Sequence, residues 1–241
     1  MPTTAMLKLA ETSSAKYAEA LVRVMGNLES GVVAIMAGAK AGTGAQAKMD
    51  AATVLNSRPA FIQALHESGY NDLAADYVAT YGAQPEAVGK AFASRSLPKP
   101  EYSTVSVDTF KGLARVDLEV FAAIGEKAMD DLRIGLYKSV ISGQPFKQIV
   151  DQVREATTGL DKAGSPLSKY AYTHANTALL SFQGEVLREA GESIGAEKWE
   201  VVGPDDQATR AECQDALADP IRTAEEWQAA GYWGGTPGGW N

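Results

Sequence analysis

The stretch that decides the fold runs from Asp108 to Ser142 and reads DTFKGLARVDLEVFAAIGEKAMDDLRIGLYKSVIS. Its apolar residues recur at steps of three and four, the spacing that brings side chains to one face of an α-helix. These residues are Leu113, Val116, Val120, Ile124, Ala128, Leu132, Leu136 and Val140. Ser106 or Asp108 is a suitable N-cap, and Gly143-Gln-Pro145 favours an end. We therefore predict one long amphipathic helix here.

The chain before this helix is rich in alanine and indicates further helices separated by glycine and proline. The pattern from Leu7 to Met25 is helical and continues to Met36, and the small residues of 38–44 predict a hinge. Shorter helices are predicted over 45–55, 59–67, 71–81 and 85–93. Two prolines within Ser96-Leu-Pro-Lys-Pro-Glu-Tyr disfavour helix. We expect an N-terminal helical bundle over 1–96 and a linker over 97–107.

The chain after residue 142 predicts two more helices and a small C-terminal module. One helix covers 146–156, and the other begins at Ser165-Pro166 and ends near Ala190, before Gly191. The inward face of the second is expected to hold Leu167, Tyr170, His174, Ala178, Phe182 and Val186. A strand is expected over 199–202, and capping boxes at Thr209/Glu212 and Thr223/Glu226 predict two short helices. The fold class is mainly α, with a long-helix region over 108–195 and a small α+β module over 196–241.

Composition narrows the classes of function. The 241 residues carry a formal charge of −8, whereas a protein that grips nucleic acid through phosphates usually presents a basic face. The single cysteine, Cys213, excludes an intrachain disulfide, and no Cys/His cluster has zinc spacing. The N-terminal residues do not have the pattern of a signal peptide. The longest weakly polar stretch, 31–41, is about half a membrane span. We expect a soluble protein with no membrane segment, no cofactor and no specific nucleic-acid binding.

Several C-terminal side chains could carry chemistry, but each has a plainer interpretation. Asp205 and Asp206 follow a Gly-Pro pair, where aspartates commonly accept backbone hydrogen bonds in turns. Cys213 has Glu212 and Asp215 as neighbours, and nearby acids raise the pKa of a thiol. His66 and His174 have no partners at catalytic spacing. We therefore assign no catalytic, cofactor or metal residues. The aromatic residues form our partner-binding hypothesis, because aromatics dominate contact hot spots: Trp227, Tyr232, Trp233 and Trp240.

Several motifs in the second half of the chain occur together in one known family. They are Gly143-Gln-Pro-Phe146, the threonine-centred Tyr172–Ala178 segment, Gly195 with Trp199, Asp206-x-x-Thr209-Arg210-x-x-Cys213, and Gly238-Gly-Trp240-Asn241. From about residue 108 to the end, the chain resembles the minor head (head-morphogenesis) proteins of tailed bacteriophages. In that family the last motif continues into Cys-Arg-His, which does not follow Asn241 here. Neither a disulfide nor a metal site is therefore carried over to Cys213.

The resemblance implies a structural or assembly protein of the virion, made in the cytoplasm of a host bacterium. It would bind at the portal vertex or the inner capsid wall, and ejection with the DNA is a further role that the resemblance allows. The implied partners are the portal protein, the major capsid or scaffolding protein, and other copies of the chain. The implied structural motif comprises Trp199, Asp205, Asp206, Thr209, Arg210 and Cys213.

Two alternatives stay open. A helical ring adaptor of the head–tail junction would use the long helix to line its subunit contacts. A small hydrolase or transferase would use Asp205, Asp206 and Arg210 in a cleft.

Overall fold

The structure, a computed structural model, describes residues 4–41, 48–159, 165–200 and 211–230. These residues are mostly helical, which confirms the mainly α fold class. The α-helices are α1 (Thr4–Gly38), α2 (Ala51–Leu55), α3 (Arg58–Glu67), α4 (Tyr70–Ala79), α5 (Gln84–Ala93), α6 (Thr104–Ile141), α7 (Phe146–Thr157), α8 (Pro166–Ser193), α9 (Ala211–Ala218) and α10 (Ala224–Ala229), with a 3-10 turn at Thr80–Ala83. The strands form two antiparallel pairs, β1 (Lys40–Ala41) with β2 (Lys48–Met49), and β3 (Trp199–Glu200) with β4 (Ile221–Arg222).

The long helix is confirmed, but its N-cap differs from the prediction. The backbone N–H of Ser106 donates to Ser103 Oγ at 3.0 Å, so Ser103 caps α6 in place of Ser106 or Asp108. Ser106 is buried one turn into the helix. The predicted cap of α8 is confirmed, because Ser168 N donates to Ser165 Oγ at 3.1 Å. Both serines satisfy a backbone donor that the first helical turn leaves unpaired.

Two predicted helix boundaries are wrong. The helix expected over 45–55 begins only at Ala51, because Asp50 caps it through Ala52 N at 3.1 Å and the preceding strand pairs with β1. α8 continues past Gly191 to Ser193 and ends where Gly195 adopts a φ of +76°. Ala196 N then donates to Gly191 O at 2.9 Å, a bond that closes the helix terminus. A glycine inside a helix need not end it when the next residues remain helical.

The chain folds as two compact units that do not follow chain order. The first unit contains 1–12, 80–114 and 176–241, and the second contains 13–79 and 115–175. This division differs from the predicted one into 1–96, 97–107, 108–195 and 196–241. Helices α1, α6 and α8 each supply residues to both units. Breaks in composition mark loops, whereas compact units depend on contacts between residues that are distant in the chain.

The first unit contains a group of aromatic rings in contact at tilted angles. The centroids of Tyr81 and Phe182 lie 4.5 Å apart, and Phe110 lies 5.7 Å from Phe182. Beside them, the buried side chain of Gln183 donates to Gln84 Oε1 at 2.9 Å. This pairing satisfies two polar groups that burial alone would destabilise.

In the second unit, α1 supplies much of the core. Residues Thr12–Gly38 are long and apolar enough to cross a membrane by length and composition alone. The expectation that 31–41 is the longest weakly polar stretch is therefore wrong. The charged residues scattered through the earlier part of α1 had made that part look too polar in the sequence. Within the unit, α1 buries Leu21, Leu28 and Val32. A helix that packs in a protein core can pass the same test of length and composition as a span.

A cluster of tyrosines surrounds Phe121 in the second unit, and we call Tyr17, Tyr70 and Tyr77 the tyrosine cluster. Tyr17 lies 4.8 Å from Tyr77 and 5.7 Å from Phe121, measured between ring centroids. The hydroxyl of Tyr70 donates to Phe121 O at 3.1 Å, and that of Tyr77 donates to Ala175 O at 2.7 Å. The Tyr17 hydroxyl is buried and has no hydrogen-bond partner among the residues described.

The core-facing sides of α6 and α8 differ in part from those predicted. Leu132 and Leu136 are buried as expected, whereas Val116 is 50% exposed. Leu113 and Val120 are exposed too, and Phe121 and Met129 take the core side. On α8, Tyr170 is 71% exposed, and the small residues Ala171 and Ala175 are buried in its place. The tyrosine cluster and Phe121 are large, so close packing needs small side chains opposite them.

Removal of the hydroxyl should affect stability differently at Tyr77, whose hydroxyl has an acceptor, and at Tyr17, whose hydroxyl has none among the described residues. We expect Tyr77→Phe to lower the free energy of unfolding by about 1 kcal/mol, because the hydrogen bond from its hydroxyl to the Ala175 carbonyl is lost. Tyr17→Phe should leave stability unchanged or raise it slightly, because it removes a buried hydroxyl that has no partner in the described residues. Denaturant unfolding of both variants checks this. Equal losses for the two would contradict the assignment.

Alkaline pH should destabilise the second unit. Burial raises the pKa of Tyr77 to about 12 and raises the pKa values of Tyr70 and Tyr17 further. The unfolded chain therefore releases these protons first, near pH ~10. The stabilisation is complete below that pH and is lost above it, by at most about 1.4 kcal/mol per tyrosine per pH unit. Unfolding measured from pH 8 to 11.5 should show a shallower loss for Tyr17→Phe and an unchanged one for the exposed control Tyr170→Phe.

Candidate functional site: the C-terminal module

The C-terminal module begins where the ring of Trp199 packs on the last turns of α8. A Cβ placed on Gly191 would overlap Trp199 Cη2 and would come within 2.7 Å of Cζ3. Glycine is therefore the residue type that lets the indole lie against the helix backbone. The prediction that Gly191 ends α8 is wrong, because the helix continues to Ser193. The role of Gly191 is instead to leave room for the Trp199 ring.

The strand that contains Trp199 pairs with a strand near the end of the described chain. In the β3–β4 pair, Trp199 lies opposite Arg222 and Glu200 lies opposite Ile221. The next turn is the predicted capping box, in which Thr223 N donates to Glu226 Oε2 at 2.8 Å and Glu226 N donates to Thr223 Oγ1 at 3.2 Å. Both strand and capping box were predicted from sequence. Of the strand expected over 199–202, residues 199–200 are confirmed, and 201–202 lie outside the described residues.

Trp227 is fully buried in the described part of the module. Its side chain has no exposed surface, and its Nε1 donates to Trp199 O at 3.1 Å. The Arg222 guanidinium lies 4.8 Å from the Trp227 ring centroid and also pairs with Asp219 at 3.0 Å. The ring therefore has a cation over its face and an accepting carbonyl for its N–H. A side chain without exposed surface cannot itself contact a partner, so Trp227 has a structural role.

The other residues singled out in the sequence lie mostly outside the described part of the chain. Outside it are Asp205, Asp206, Thr209, Arg210, Tyr232, Trp233 and Trp240. Cys213 falls in α9, of which the structure gives the backbone at that position. The partner-binding hypothesis therefore stays a prediction for Tyr232, Trp233 and Trp240. The interpretations of the Asp205–Asp206 pair stay predictions too.

The histidines occupy unlike positions, both in the second unit. His66 is exposed in the last turn of α3. The His174 ring meets the Phe121 ring edge-on at 4.6 Å between centroids. Its Nε2 is buried without a hydrogen-bond partner among the described residues. Within 4–41, 48–159, 165–200 and 211–230, no group of three or more His, Cys, Asp or Glu residues could hold a metal ion.

A charged cluster on α8 was not foreseen from the sequence. Arg188, about a quarter exposed, pairs with Glu185 at 2.5 Å, with Glu192 at 2.6 Å and with Glu189. The hydrogen bond to Glu185 contributes most, and together the carboxylates raise the pKa of the Arg188 guanidinium above its usual value. Ser106 on α6 donates to Glu189. The i, i+3 and i, i+4 spacings were visible in the sequence, whereas the contact with Ser106 depends on tertiary structure. The cluster joins α6 to α8 within the first unit.

Comparison of the chain with protein-family models, with curated proteins and with solved structures found no match in any of the three.

Substitution of Gly191 tests the packing of Trp199 on α8. We expect Gly191→Ala to destabilise the protein by about 1–3 kcal/mol, the usual effect of overpacking, because the indole must move. Gly184→Ala is the matched control, since a Cβ at this exposed site on the same helix meets nothing within 4 Å. It should be neutral or stabilising by up to about 1 kcal/mol. Thermal unfolding of both variants decides, and a neutral Gly191→Ala would contradict the contact.

Proposed function

We propose that the chain is a virion structural and assembly protein of the bacteriophage minor head type. The observation that carries the proposal is the organisation of the C-terminal module around Trp199. This tryptophan belongs to the motifs that resemble the family. It packs on Gly191, and its carbonyl accepts the indole N–H of the buried Trp227.

The mechanism proposed is binding to a larger assembly during head formation. β3 and α9 bracket residues 201–210, which carry Asp205, Asp206, Thr209 and Arg210. In the sequence, residues 201–210 thus follow shortly after the end of the long helix α8. The partners proposed are the portal protein, the major capsid or scaffolding protein, and other copies of the chain. Its place is the portal vertex or inner capsid wall, after synthesis in the host cytoplasm. The acidic charge of −8 is consistent with protein partners in preference to DNA phosphates.

One observation favours the ring adaptor as a second candidate. The predicted apolar stripe of α6 is partly solvent-exposed at Leu113, Val116 and Val120, and Ile134 and Ile141, which lie outside that stripe, are exposed as well. A ring adaptor would bury such positions between subunits in a fixed symmetric copy number. A minor head protein would be present in few or variable copies. The hydrolase or transferase alternative depends on Asp205, Asp206 and Arg210, which lie outside the described residues.

Binding to the portal protein of the same phage tests the proposal. The full chain and a chain ending at Gly195 are compared in a pull-down against that portal protein. We expect the full chain to bind and the shortened chain to lose binding at least about tenfold, which is roughly 1.4 kcal/mol. Gly184→Ala serves as a folded full-length control, and circular dichroism confirms that the shortened chain keeps its helices.

The outcomes separate the candidates. Binding retained by the shortened chain would move recognition to the helices. No binding by either chain, together with absence of the protein from purified virions by mass spectrometry, would refute the minor head proposal.

A further inference from the structure

A regular seam of side chains lies on the exposed side of α6 in the second unit. It comprises Val116, Val120, Ala123, Lys127, Asp130, Ile134, Tyr137 and Ile141, and we call it the α6 seam. The steps between its members alternate between four and three residues, the spacing of the a and d positions of a coiled coil. The core residues Phe121, Met129 and Leu136 lie on another side of the same helix.

The seam is apolar at its ends and charged at its centre. Its outer residues leave large apolar surface in solvent, with Val116 at 50%, Ile134 at 42% and Ile141 at 60% exposure. Lys127 and Asp130 occupy the two middle positions. Large exposed apolar side chains grouped on one helix face are typical of an interaction site, and the order of the charges between them indicates what covers the face.

We propose that the α6 seam pairs antiparallel with the α6 seam of a second copy of this chain. In an antiparallel pair, each a position faces a d position of the other helix. One register places every member of the seam opposite another member. It sets Val116 against Ile141, Val120 against Tyr137, Ala123 against Ile134, and Lys127 against Asp130 of the second copy. The two-fold axis repeats each of these pairs.

Charge complementarity selects this arrangement. In the antiparallel register, Lys127 of each copy meets the opposite charge of Asp130 on the other, and Asp117 beside the seam comes near Lys138. A parallel in-register pair would instead set Lys127 against Lys127 and Asp130 against Asp130. Like charges directly opposite each other are destabilising. The seam is thus self-complementary only when the helices run in opposite directions.

The local ion pairs of one chain are compatible with this contact. Arg58 holds Asp130 at 2.9 Å, and Lys127 holds Asp131 at 2.7 Å. In the pair of copies these groups would form one cluster with equal numbers of positive and negative charges. The apolar layers on both sides of it extend over roughly 37 Å of helix. A contact on a two-fold axis closes on itself, so it produces a dimer and not a ring.

Disulfide cross-linking tests the register directly. Val116→Cys and Ile141→Cys are made separately in a Cys213→Ser background and oxidised, alone and mixed. Residues 116 and 141 of one helix are roughly 37 Å apart, so neither variant alone can cross-link through the proposed contact. The equimolar mixture should give a covalent heterodimer as its main cross-linked product. Cross-linking of Val116→Cys with itself, or none in the mixture, would overturn the proposal.

Charge exchange provides an independent test in the native cysteine background. Light scattering over a range of protein concentrations should show a dimer for the native chain. Lys127→Glu should raise its Kd by about tenfold or more, because glutamate then faces Asp130. Adding Asp130→Lys to that variant should restore dimerisation. Val22→Glu is the control, since Val22 is 72% exposed on α1, outside the seam. A native chain that stays monomeric at every concentration, or an equal loss in the control, would refute the seam.

Discussion

The second unit depends on hydrogen bonds from buried tyrosine hydroxyls to helix carbonyls. Tyr70 donates to the carbonyl of Phe121 in α6, and Tyr77 donates to that of Ala175 in α8. A carbonyl has two lone pairs, so it can accept such a bond while it stays within its helix. A buried hydroxyl without an acceptor is destabilising, and these bonds therefore specify how α4 packs against both long helices. The approach is close, since a Cβ on Gly125 would lie 2.7 Å from the Tyr70 ring.

This constraint explains why the core side of α6 is not the one predicted. The apolar spacing through Leu113, Val116 and Val120 is regular, and regular spacing was taken as the core face. The side that packs instead contains Phe121, Gly125 and Met129, where a ring and a glycine accommodate the tyrosines. The helix therefore has two apolar sides, one buried in its own unit and one exposed. Periodicity identifies an amphipathic helix, but it does not decide which of two apolar sides packs in the same chain.

Local signals in the sequence predicted local structure well. The Ser165 cap, the Thr223–Glu226 capping box and the long helices are all confirmed, because each depends on residues within a few positions of one another. The β1–β2 pair and the grouping into two units were not predicted, since they depend on contacts that no local pattern encodes. In the candidate site, too, some features were visible in the local sequence and others depend on distant contacts. Trp199 stood out in the sequence, whereas the reason for Gly191 became clear only from the indole that packs on it.

The two proposed contact surfaces lie in different units of the chain. The C-terminal module lies in the first unit, and the α6 seam lies in the second. The module encloses its largest described aromatic, Trp227, so recognition there would depend on other side chains. The seam, by contrast, leaves its apolar residues in solvent and has charges that match only an inverted copy of itself. A chain with one surface for its own copies and another for a different protein could be dimerised and recruited independently. Loss of either surface would then leave the other function intact.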